Sequence, residues 1–197
     1  MTFKFTFRVD PVRMTIPYAA IADDIRNNSG FEDLRGHPDK ASAIAEGNAS
    51  PALRRLLVRI ANVGSTIFTL GCELGSHQEP TRVPMRRREV AGGYVQFASI
   101  HYNCARTESY AAFANAIVAH VKKCAKKDHW ELNLVGQMVN FQFPNELTGF
   151  YPSLLVWFFA GASDQTAARD SRERLIEAID AAVALPATLE ALPTAGG

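Results

Sequence analysis

The sequence is short of cysteine, of long apolar runs and of nucleotide or hydrolase signatures, and each shortage excludes something. Three cysteines in 197 residues, Cys72, Cys104 and Cys124, are too few and too odd in number for a disulfide framework. The opening MTFKFTFRVD holds no apolar run of signal-peptide length. The longest near-apolar stretch, Phe150 to Ala162, is interrupted by Pro152 and Ser153. It falls short of the ~20 residues that a membrane-spanning helix needs. A reducing cytoplasm is the expected location. Gly71, Gly75, Gly92 and Gly93 lack the spacing with which a backbone wraps a phosphate, and H-E-x-x-H, C-x-x-C and G-x-S-x-G are all missing. Zinc would need four converging ligands. Cys72, His77, His101 and Cys104 offer the atoms, but a hairpin closed by residues 75–92 would hold the two pairs ~20 Å apart. No metal and no cofactor is expected.

The composition is 47% hydrophobic and 21% charged, that of a soluble globular protein. The expected organisation is a single α+β domain over residues 1–186, with a long loop at 28–49 and a flexible tail at 187–197. Such a long loop suggests a lid, a binding loop or a disordered segment.

Periodicity supplies the elements. Phe3, Phe5, Phe7 and Val9 alternate with Lys4, Thr6 and Arg8, as in a half-buried strand. Residues 17–27 allow a short helix. Ser50-Pro51 marks a helix start, followed by the stripe Leu53, Leu56, Leu57 and Ile60. Thr66 to Leu74 reads as a strand with its even residues on one face, and a second strand covers about 94–102. Thr107 opens a helix with the seam Tyr110, Phe113, Ile117, Val121 and Cys124. Trp130, Leu132 and Leu134 have even parity, whereas Val139, Phe141 and Phe143 have odd parity. A β-bulge near Gly136 would reconcile them. Leu154–Phe159 reads as a central strand. A helix capped at Ser163 or Asp164 and ended by Pro186 closes the pattern, with Leu175, Ile176, Ile179 and Val183 inward. The fold expected is α+β: a mostly antiparallel sheet of about five strands, a βαββαβ-like core plus an extra βα, with helices mainly on one face.

Charge is uneven. Residues 51–130 carry 12 Lys/Arg against 5 Asp/Glu, and residues 131–197 carry 3 against 8. Arg54, Arg86, Arg87, Arg88, Lys122, Lys123, Lys126 and Lys127 form the basic set with which RNA or single-stranded DNA would be bound. Gly93-Tyr94-Val95-Gln96-Phe97 resembles the second half of the RNA-recognition-motif signature. Val90, Ala91 and Gly92 stand where that signature has a basic residue, a glycine and an aromatic. Cys104, beside Arg106 and a helix start, is the candidate nucleophile, with His101 as its base. Cys72 and Cys124 fall on apolar faces and read as core. Twelve phenylalanines and two tryptophans exceed the needs of one small core, and Phe3–Val9 has the character of an edge strand. The reading is a non-enzymatic binding domain whose partner is another protein or a second copy, with no membrane. Nucleic-acid binding and Cys104 chemistry are the alternatives.

Overall fold

The computed structural model describes residues 1–8, 14–21, 29–75, 89–101, 105–125, 128–143, 148–185, 188 and 192. Among the described residues the strands are β1 (Thr2–Arg8), β2 (Thr15–Ile16), β3 (Ile67–Leu74), β4 (Glu89–Ser99), β5 (His129–Gln142) and β6 (Thr148–Ala162). The α-helices among them are α1 (Ala45–Ala49), α2 (Pro51–Ala61), α3 (Thr107–Cys124) and α4 (Gln165–Val183), and a 3-10 helix covers Pro38–Ala43.

The helices start where polar side chains satisfy free backbone donors. Leu53 N–H donates to Ser50 Oγ at 3.1 Å and Pro51 fills the first turn of α2. Ala167 N–H donates to Asp164 Oδ1 at 2.8 Å and opens α4. The seams then bury as their spacing requires: Leu53, Leu56, Ile117, Ile179 and Leu175 are all fully buried. α4 packs against both α2 and α3. The first contact is laced by Arg55–Glu177 at 2.6 Å and Arg59–Asp180 at 2.7 Å. Leu192, inside the segment expected to be a loose tail, is 2% exposed and belongs to the main core.

Strand order is β1-β5-β6-β4-β3, with β2 also paired to β5. The sheet is mixed rather than mostly antiparallel, because β1 and β2 both run parallel to β5. Alternation has the same period in either direction, so it sets a strand's faces and leaves its direction open. β5 and β6 follow each other closely in the sequence, Gln142 to Thr148, and pair antiparallel, whereas β1 pairs with a strand more than a hundred residues further along the chain. β6 is central, as expected, and extends well beyond Leu154–Phe159. Pro152 is tolerated in it because the β4 ladder ends at Leu154. Residues 17–21 contain no helix, and 22–27, the rest of the segment that allowed one, lie outside the described residues. The segment 28–49 is not all loop, since Pro38 starts the 3-10 helix and the alanine-rich run after it forms α1.

The parity change along β5 has a different cause from the one expected. Its ladder with β6 runs from His129 to Gln142 without a register shift, so there is no bulge at Gly136. Trp130, Leu132 and Leu134 face the helices, while Val139, Phe141 and Phe143 face a second core on the opposite side. The bulge lies in β3, between Thr69 and Gly71. Phe68 and Leu70 therefore belong to the second core, while Cys72 and Leu74 pack against the main one. Arg35 roofs the second core, its guanidinium 4.2 Å from the Phe143 ring centroid and 5.0 Å from that of Phe68. Asp33 holds the guanidinium through contacts of 2.7–3.1 Å. The aromatic surplus thus fills a second core before any is left for a partner.

A candidate binding cavity on the edge of β3

The bulge also shapes a concavity. With Leu70 as the extra residue, the outer edge of β3 kinks and presents Gly71, which has no side chain. Thr69 Oγ1 lies 3.3 Å from Gly71 N and 3.2 Å from Gly71 O, so this hydroxyl ties down the kink. A Cβ placed on Gly71 would stand 3.1 Å from the Tyr18 hydroxyl and 3.8 Å from that of Tyr94. Two phenols from distant parts of the chain therefore converge over one bare backbone position.

Three segments raise walls around them. Residues 14–18 follow from β2. Residues 29–34 cross beside them, with Phe31 N–H donating to Tyr18 O at 3.0 Å and the two rings edge-on at 6.0 Å. Residues 43–46 close the far side at the start of α1, with Leu57 of α2 below. The enclosed volume is about 560 Å³. That lies inside the ~300–1,000 Å³ range of small-molecule sites. Tyr94 is braced from behind by Trp157, ring centroids 4.9 Å apart.

The electrostatics of this cavity are one-sided. Burial pushes the Tyr94 hydroxyl up, and Tyr18, Glu73, Cys72 and Glu46 add to the rise. Burial pushes Tyr18 up as well, followed by Cys72 and Glu46. The Cys72 thiol rises for the same first reason, with Glu46 and Glu73 next. All three groups hold their protons at neutral pH, so they are neutral hydrogen-bonding groups rather than nucleophiles or bases, and each phenol oxygen can still accept.

The residues singled out in the sequence lie elsewhere. Arg54 is exposed on α2, and Lys122 and Lys123 are exposed at the end of α3, with α4 packed between the two helices. Lys122 Nζ stands 4.0 Å over the Phe3 ring. Arg86, Arg87, Arg88, Lys126, Lys127 and Cys104 lie outside the described residues. His101 is half-buried in the turn after β4, and its N–H donates to Ser99 Oγ at 3.0 Å. Within the stretch that resembles an RNA-binding signature, Tyr94 lines the cavity. Phe97 is buried on the helix side, 6.1 Å from Phe113. Cys124 is exposed rather than core, because the seam of α3 is covered only as far as Val121.

Among the described residues, no group of three or more His, Cys, Asp or Glu is placed to hold a metal, and no helix is long and apolar enough to cross a membrane. The cavity's Tyr18, Glu46, Gly71, Cys72, Glu73 and Tyr94 were not anticipated. The available signal was the isolated glycine that breaks the alternation of β3, together with the long segment after residue 28. Neither a family model, nor a curated protein, nor a solved structure matches this chain.

Proposed function

We propose that this chain is a non-enzymatic binding domain whose site is the cavity on the edge of β3. The observation that carries the reading is the cavity itself: about 560 Å³, walled by residues 14–18, 29–34 and 43–46 and floored by a kinked strand. Its size suits a small organic molecule. Its polar groups favour recognition, since the phenols and the thiol stay protonated at neutral pH.

The test is a ligand-observed NMR titration with 2-phenylethanol, phenethylamine and 3-phenylpropionate. At least one should bind the native protein. Gly71→Leu, which projects between the two phenols, should weaken that binding tenfold or more. Ala45→Trp, at an exposed rim position, should do the same without touching either core. If none of the three binds, or if both filled variants bind as well as the native protein, the reading is wrong.

A second reading, addition of a strand from another protein chain, is supported by the place of β1 at the end of the sheet and by Phe3, which is 40% exposed there. Sedimentation of the native protein against Phe3→Asp tests it. A species heavier than the monomer that survives the substitution unchanged would count against the β1 edge.

A further inference from the structure

The geometry points to a small organic ammonium compound as the cavity's ligand, its cationic group held among Tyr18, Tyr94 and the Glu46 carboxylate. The inference rests on the cavity being a binding site and adds the charge of what it takes.

The lining is chemically lopsided. Its described residues include Glu32, Glu46 and Glu73 and no lysine, arginine or histidine. Glu32 is neutralised by Lys40 at 2.8 Å. Glu46 pairs with no cation among the described residues. Glu46 lines the same cavity as Tyr18, Cys72 and Tyr94, and after burial, which is the first cause, its field adds to the rise in all three. An anionic ligand would meet that field unfavourably, and a neutral one would leave it unanswered.

The aromatic groups make the same selection independently of the carboxylates. Tyr18, Phe31 and Tyr94 all line the cavity, and the hydroxyls of the two tyrosines converge over Gly71. Aromatic faces attract cations, and aromatic cages are a general means by which ammonium groups are recognised. Half-buried Glu46 and three aromatic side chains line one cavity, and together they answer both the charge and the apolar body of an arylalkylamine.

Three probes of similar shape decide the matter: phenethylamine, 2-phenylethanol and 3-phenylpropionate, titrated separately by protein-observed NMR. The amine should bind roughly tenfold more tightly than the alcohol, and the carboxylate most weakly. Glu46→Gln, which keeps the shape and removes the charge, should bring the amine-to-alcohol ratio close to one. Alcohol or carboxylate binding as tight as the amine overturns the proposal while the cavity remains a binding site, as does a ratio that Glu46→Gln leaves unmoved. Failure of all three probes removes both readings together. Binding of a tetralysine peptide in place of phenethylamine also overturns it, because the ammonium source would then be a polypeptide surface.

Discussion

Gly136 is one of the β5 positions paired with β1, and adding one methyl group there tests how the Phe7 end of that strand is held. It lies opposite Phe7 of β1 and opposite Leu154 of β6. A Cβ built on it would come within 2.6 Å of Phe7 Cε2, with the rest of the ring in the same space. The Phe7 ring therefore occupies the volume that a side chain at 136 would fill, a cross-strand aromatic covering a glycine. Gly136→Ala must turn that ring outward. Overpacking of this kind costs ~1–3 kcal/mol. The reduced freedom of the unfolded chain returns ~0.4–1 kcal/mol. The net expectation is a loss of ~0–2.6 kcal/mol. Phe7→Ala alone removes a half-buried ring, which should cost about half of the ~3–5 kcal/mol typical of a fully buried one. In the double variant the new methyl occupies the space the ring has left. The two losses should then fail to add by ~1–2 kcal/mol. Equilibrium urea unfolding, followed through Trp130 and Trp157, measures all four corners of the cycle. Strict additivity of the two single losses would refute the reasoning.

Ile117→Asp places a charge in the middle of the main core, where Ile117 is fully buried, and should leave no folded protein by circular dichroism. Asp33 is raised by burial, but its hydrogen bonds to Arg35 outweigh this and hold the carboxyl below its ordinary range. The stability it contributes is therefore present above the unfolded value near ~3.9 and lost as pH falls through the lower folded value. The gap in urea midpoint between native protein and Asp33→Asn should narrow from pH 7 to pH 3, and an unchanged gap would count against the Arg35 clamp. Alkylation of the native protein should label exposed Cys124 well before Cys72, whose thiol burial holds protonated. Equal rates would mean that the edge of β3 is open to reagent. Ser171→Ala leaves the Trp130 indole N–H without its acceptor at 3.0 Å. That should cost ~1–3 kcal/mol in the same urea assay.

Much of the fold was legible because the signals were local. The cap at Ser50, the seam from Tyr110 to Val121 and the stripe of α4 each depend on neighbours within a few residues, and each appears within a few residues of its expected bounds. What was not legible depends on partners remote in the chain. The odd and even parities of β5 look alike whether a strand has a bulge or two cores, and only the contacts of Val139 and Phe141 with Ile16 and Phe68 decide between them. The cavity was harder still. Tyr18, Glu46 and Tyr94 are separated by dozens of residues, none forms a recognisable spacing, and the kink that gathers them turns on one extra residue in β3. The direction of β1 was hidden for the same reason, since alternation does not record which end of β5 a strand approaches.

Because β5 is a wall of both cores, the two are thermodynamically one body. A strand of 14 residues whose first half backs the helices and whose second half backs Phe68 and Ile16 transmits the loss of either side to the other. Peeling the Phe141 end from β6 exposes ladder groups that continue without a break to Trp130. Cooperativity is then carried by main-chain pairing rather than by side-chain contact between the cores. The amides of β5 and β6 should share a single, slowest exchange rate, and a defect at Phe141 should be felt at Trp130, roughly 35 Å away along the strand.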